Sequence, residues 1–267
     1  MTGAVAGRPD AGPPPRRVPL VAVAHGSRDP RSARAVEELF GHVRALRSGL
    51  DVRVAYLDFV QPDPRAAIGA LAAEGAGEVV VLPALLTAAY HSKVDLPGVL
   101  RTVRTGYPWL RVRYGGTLGP HPLLLDTVLR RLAEAGVRAA PDTALVLAAA
   151  GSSDPGANAV IEEAAAHLAA RGPWLRVRAA YASAAAPTPG AAVAALRAEG
   201  ARRVAVAGYL LAPGFFADRV AEQSLAAGAE AVVPALGAAP ELARLVLHRY
   251  DTALRAVPDR EVPTGRR

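Results

Sequence analysis

An imidazole stands where the first apolar run of the chain ends: VPLVAV gives way to AHGSRDP, with His25 directly before Gly26. A second, His91, follows a later apolar run in TAAYHSKVDLP, and a third, His121, sits between two prolines in LGPHP. A carboxylate, Asp58, closes another such run in YLDF. Imidazole is a nitrogen donor for divalent ions and also a proton carrier, titrating at about 6.5 when unperturbed. Two imidazoles and a carboxylate brought together make either an acid–base pair or a site for a divalent cation. The chain has no cysteine, which removes thiolate zinc sites, iron–sulfur clusters, disulfides and a cysteine nucleophile from consideration. A site built on two histidines holds an ion loosely, which suits transfer better than storage.

These groups lie far apart in sequence, so the fold must gather them, and the chain writes its fold twice. Gly26, Ser27, Asp29 and Pro30 recur at one constant offset as Gly151, Ser152, Asp154 and Pro155. The same offset pairs Tyr56 with Tyr181, Pro62 with Pro187, Pro64 with Pro189, and Glu74-Gly75 with Glu199-Gly200. Later the offset shortens, LGPHP meeting LGAAP, so the second copy has lost residues between its third and fourth strands. The first copy alternates the strand-like runs VPLVAVA, DVRVAYL, EVVVLPAL and LRVRYGG with helices expected to start near Ser32, Asp63, Asp95 and His121. The second offers TALVLAA, WLRVRAAY, RRVAVAGYL and AEAVVPAL. Short apolar strands separated by helices imply right-handed crossovers and buried parallel sheets. The expected fold class is α/β, with two similar doubly wound domains that each carry a four-stranded parallel sheet. The expected boundaries are 1–17 for a disordered extension, 18–140 and 141–256 for the two domains, and 257–267 for a tail. Ligands of such sheets sit beyond the carboxyl ends of the strands.

The two copies disagree at that rim. His25 faces Ala150, Asp58 faces Ser183, and His121 faces Ala239; at the same offset His91 faces Phe216. Arg28 and Lys93 flank the two leading histidines and face Ser153 and Asp218. The ionisable groups therefore gather in the first copy. The shared Gly, Ser, Asp and Pro of the turn read as architecture, since Ser152 lacks a histidine neighbour and Asp-Pro suits a helix start. His42 and His167 recur on helices and read as solvated. Phe215 and Phe216, with Tyr209, are candidates for an apolar wall.

Bulk properties narrow the partners. The 267 residues carry a net charge of +7 and only 5% aromatics, with the basic residues scattered and no nucleic-acid motif. An anionic small molecule is therefore preferred over nucleic acid. No apolar run approaches the ~20 residues that cross a bilayer.

AHGSRDP after the first strand, YLDFVQP after the second, LPALLTAAYHSKVDLP after the third and LGPHP before a helix resemble the class II chelatase family, in particular its sirohydrochlorin chelatases in long, duplicated form. The resemblance implies insertion of Fe²⁺ or Co²⁺ into sirohydrochlorin without ATP, in a cleft between two similar domains. It carries the metal-handling and catalytic roles onto His25 and His91, with Asp58 as a third catalytic group where the family usually has glutamate. Arg28, Lys93 and His121 become candidates for binding the carboxylates of the ring. It further implies a divalent metal as substrate, no organic cofactor, no nucleic-acid or membrane partner, and a cytoplasmic monomer or homodimer. Two alternatives stay open. A histidine phosphatase also places a strand before His-Gly, but typically has arginine where Ala24 stands; a non-catalytic carrier would bind the same ion stoichiometrically.

Overall fold

Asp-Pro and Thr-Pro pairs open many of the helices in this chain, and each does so by the same chemistry. The computed structural model describes residues 17–88 and 94–256. Asp29, Asp63, Asp154 and Thr188 accept hydrogen bonds from the backbone N–H groups of Arg31, Ala66, Gly156 and Ala191. The proline that follows each cap has no N–H to leave unsatisfied and is preset for helical φ. This is why the first helix begins at Pro30, two residues before the expected Ser32.

In the first half the order is β1 (Leu20–Ala24), α1 (Pro30–Leu46), β2 (Val52–Tyr56), α2 (Pro64–Ala73), β3 (Glu78–Pro83), α3 (Leu96–Gly106), β4 (Arg111–Tyr114) and α4 (Pro122–Glu134). The second half repeats it as β5 (Thr143–Ala149), α5 (Pro155–Ala169), β6 (Arg176–Tyr181), α6 (Pro189–Ala198), β7 (Arg203–Gly208), α7 (Phe215–Ala226), β8 (Ala231–Val233) and α8 (Pro240–Arg255). All strand pairs are parallel, in the orders β2-β1-β3-β4 and β6-β5-β7-β8. The interior strands β1 and β5 are buried along their whole length. Covered on both faces, they can be uniformly apolar.

Most of the shortening of the second copy falls in one place. Residues 84–95 connect β3 to α3, whereas residues 209–214 connect β7 to α7; the following connections, 107–110 and 227–230, are equal in length. Phe216 and Asp218 therefore stand inside α7, whose counterpart α3 starts only at Leu96. The uniform offset that set them opposite His91 and Lys93 does not hold there.

Two apolar layers are local. One packs α2 and α3 on the first sheet through Val21, Val79, Val81, Ile68 and Leu100, and another packs α6 and α7 on the second sheet. The third is shared by both halves, because the last helix of each crosses over. α8 packs on α1, β3 and β4, while α4 packs on β7 and α8. Leu242, Leu245 and Val246 of α8 join Leu20, Leu39, Phe40, Val80 and Leu82 in one continuous core. Polar contacts fix the exchange: Arg47 chelates the Asp251 carboxylate at 2.5 and 2.9 Å, and Tyr250 Oη donates to the Val18 carbonyl at 2.6 Å. Arg113 donates to the carbonyls of Leu254 and Ala256 at the end of α8.

A shared core predicts shared unfolding. Leu245→Ala should cost about 2–5 kcal/mol and lower the urea midpoint of both halves together. The two tryptophans, Trp109 in the first half and Trp174 in the second, report this separately in Trp→Phe variants. Midpoints that split between the two reporters would contradict a single core.

Candidate active site

The strand ends of both sheets open on one cleft of about 1180 Å³. The first half lines it with the turn after β1, Phe59 after β2 and residues 84–87 after β3. The second half contributes Ala150 to Ser153 after β5, Ala184 after β6, residues 209–214 and the start of α7.

The geometry of the rim comes from the backbone. Beyond β1 and β2 the parallel pairing continues, Leu57 N–H donating to the Ala24 carbonyl and Asp58 N–H to that of His25, at 3.0 and 2.9 Å. Gly26 turns the chain there with φ +92°, and a Cβ on it would lie 1.8 Å from the Asp58 carbonyl oxygen. Only glycine meets both demands. The second half has the same construction: Ser183 N–H donates to the Ala150 carbonyl at 2.9 Å, and Gly151, at φ +87°, would place a Cβ 1.9 Å from the Ser183 carbonyl oxygen.

On these matching scaffolds the side chains differ. His25 Nδ1 lies 3.8 Å from Asp58 Oδ2 and 3.2 Å from the Gly26 carbonyl oxygen. Both side chains are open to solvent, 45% and 48% exposed, and His25 lines the cleft. In the tautomer protonated at Nδ1, the ring donates to the Gly26 carbonyl, which fixes its orientation at the rim. At the equivalent place in the second half, Ser183 Oγ folds back and donates to the Ala150 carbonyl at 3.0 Å. Ser27 and Ser152 play one role in both halves, their hydroxyl oxygens accepting from the backbone N–H groups of Asp29 and Asp154 at 3.1 and 3.0 Å. The serines are architectural, as the repeat implied.

The halves also touch across the cleft. Arg31 binds Asp29 beside it and Asp218 of α7 opposite, each at 2.5 Å. Arg31's hydrogen bonds hold the Asp29 carboxyl below its ordinary range. Phe215 is 67% exposed and Phe216 39%, and their rings meet edge to face on this wall. Tyr209 lines the cleft from the edge of the shared core, where burial pushes its hydroxyl well above the usual phenol range.

The model of the CbiX family matches residues 19–135 and matches again at 144–253. The chain belongs to the CbiX family. It is 28% identical over 239 residues to a sirohydrochlorin ferrochelatase of Priestia megaterium, covering 87% of this chain and 89% of that one. A sirohydrochlorin cobaltochelatase of the same organism is 30% identical over 204 residues, which cover 75% of this chain and 66% of that protein. Among solved structures, SirB from Bacillus subtilis with Fe³⁺ superposes with a TM-score of 0.80 at 24% identity, over 90% of this chain and 96% of that one, a likeness of fold.

Within this CbiX frame the expected site residues divide three ways. His25, Asp58 and Arg28 are brought to the same rim, with Arg28 and His25 both lining the cleft. His91 and Lys93 lie outside the described residues; among the described residues no group of three or more His, Asp or Glu side chains is placed to hold a metal ion. His121 does not line the cleft. It caps α4, Nδ1 accepting from Leu123 N–H at 3.2 Å, and its ring lies 5.3 Å from that of His248. Burial, and then the charges of Arg249 and His248, hold its pKa below the ordinary imidazole value, against a weaker opposite pull from Asp126. Phe59 was missed, although its signal was available: the second copy has Ala184 at that place.

Two expectations follow. Gly26→Ala and Gly151→Ala should each cost more than about 1 kcal/mol of stability, but only Gly26→Ala should also displace His25 and Asp58, so activity at a temperature where both variants are folded separates them. His121, with its folded pKa lowered, stabilises the fold above the unfolded value of about 6.5. That contribution fades as pH falls through the folded value. Urea midpoints should fall as the pH is lowered below about 6.5, and His121→Asn, which still caps a helix, should flatten that fall.

Proposed function

We propose that this CbiX-family chain inserts Fe²⁺ or Co²⁺ into sirohydrochlorin, without an organic cofactor. The observation that carries the reading is the His25–Asp58 pair, held at one rim of a cleft large enough for a tetrapyrrole and absent from the matching rim opposite. The named relatives from Priestia megaterium, one an iron and one a cobalt chelatase, support the same reaction.

Metallation exchanges two pyrrole N–H protons for one divalent ion. His25, and His91 with it, would present a nitrogen lone pair to the incoming ion or accept a departing proton. Asp58, 3.8 Å from Nδ1, balances the charge of an imidazolium and keeps the ring oriented. Arg28 and Lys93 would receive carboxylates of the anionic ring. Phe215 and Phe216 give the opposite wall an exposed apolar surface against which a flat conjugated ring packs. Pressing that ring out of planarity would turn its nitrogen lone pairs toward the ion, a strain drawn from binding.

In this reading residues 18–140 carry the site and residues 141–256 close the cleft. The enzyme acts in the cytoplasm as a monomer or homodimer, with no nucleic-acid or membrane partner. Among the described residues no helix is long and apolar enough to cross a membrane. The phosphatase alternative is not favoured, because the family match spans both halves and buried Ala24 precedes His25.

The test is anaerobic. With sirohydrochlorin and Fe²⁺, Co²⁺ or Ni²⁺, absorbance should show rapid metallation by the wild-type protein. His25→Ala and His91→Ala should each slow it by roughly 100-fold or more while the far-UV circular dichroism is retained. Unchanged rates in both variants would overturn the reading; stoichiometric metal binding without accelerated metallation would make the protein a carrier.

A further inference from the structure

Phe59 occupies a place that neither folding nor packing explains. It lies at the apex of a tight turn in which Val60 N–H donates to the Asp58 carbonyl at 2.7 Å, and its φ is +63°. A bulky side chain seldom adopts that conformation, and when it does the backbone strain commonly serves a site. The duplicate turn has the same bond, from Ala185 N–H to the Ser183 carbonyl, and the same φ of +58°, but carries only Ala184 at its apex. The backbone therefore does not require an aromatic residue. Nor does the core, since Phe59 is 62% exposed and lines the cleft.

The ring meets a cation across the rim. The Arg28 guanidinium carbon lies 4.8 Å from its centroid, within the range of a cation–π contact. Arg28 lines the cleft as well, and no carboxylate of the described residues lies within ion-pair distance of it. Arg31, three residues on, is by contrast neutralised from both sides by Asp29 and Asp218. Both members of the Arg28–Phe59 pair are missing from the second half, where Ser153 and Ala184 stand.

We propose that Phe59 is a positioning residue for Arg28: its ring holds the guanidinium at the cleft rim, with no carboxylate of the described residues paired to it, to receive a carboxylate of the anionic ring. This rests on the function proposed above and adds to it a residue for substrate binding. An aromatic face suits the task because it restrains the cation without neutralising it, whereas an acidic neighbour would compete with the substrate.

The experiment is a titration of metal-free sirohydrochlorin by absorbance, on the full-length protein, with Phe59→Leu, Phe59→Trp, Arg28→Ala and the double variant Arg28→Ala/Phe59→Leu. Phe59→Leu and Arg28→Ala should each weaken binding by about three- to tenfold, and in metallation assays with Fe²⁺ or Co²⁺ the loss should appear in KM rather than kcat. Phe59→Trp, which keeps a cation–π face, should recover most of it. The double variant should bind no worse than Arg28→Ala alone, because the ring acts through the guanidinium. The differences should vanish for the ring with its carboxylates esterified. Binding by Phe59→Leu equal to wild type, or losses that multiply in the double variant, would overturn the proposal. Wild-type protein that binds the ring without metallating it would overturn the proposed function and leave this comparison readable; failure to bind the ring at all would overturn both.

Discussion

The rim of the first sheet depends on one close approach, the Asp58 carbonyl oxygen lying where a side chain on Gly26 would be. With the hydrogen bond from Asp58 N–H to the His25 carbonyl, it locks the loops after β1 and β2 into a fixed register beyond the last strand residues. The histidine and the aspartate then lie together because their backbones must. The same approach recurs at Gly151 and Ser183 without an ionisable side chain. The lock is thus a property of the fold, and the chemistry is laid over it. A site built this way sits on strand ends rather than on a free loop, which would keep His25 and Asp58 in place while an ion comes and goes.

The second requirement is that two such rims face each other, and the exchange of α4 and α8 supplies it. Each sheet has its own helices on its outer face, but its inner face is covered partly by a helix from the other half. Leu242 and Leu245 cannot leave the first sheet without exposing apolar surface of both halves. The cleft is held by a packed core, with the Arg31–Asp218 pair as a further tie at its edge.

Much of this could be read from the residues alone, and the exceptions have physical causes. The duplicated turn, the Asp-Pro starts and the apolar strands predicted both sheets, because caps and buried parallel strands are local properties of sequence. His25 and Asp58 emerged by comparing the copies, since what the fold needs is kept in both and what the site needs is not. The same comparison passed over Phe59 because attention went to ionisable groups, and a benzene ring carries no charge of its own. His121 misled for the opposite reason: imidazole is also a competent helix cap, and only coordinates show its Nδ1 spent on Leu123 N–H. Asp218 was set against Lys93 by a uniform offset, although the shortening lies earlier in the chain, and its partnership with Arg31 is a contact between halves that spacing does not encode.

Fusing two copies and letting them diverge gives the cleft unlike sides. On one stand His25, Arg28 and Phe59, with Asp58 beside His25; on the other stand Ala150, Ser153, Ala184 and the rings of Phe215 and Phe216. A planar macrocycle lying between them would meet an imidazole and a guanidinium on one face, whereas the described lining of the other has neither histidine nor arginine. Traffic of ions would then be confined to a single face, and any doming of the ring would have a fixed direction, toward the donors. Two identical halves related by a dyad would offer no such polarity.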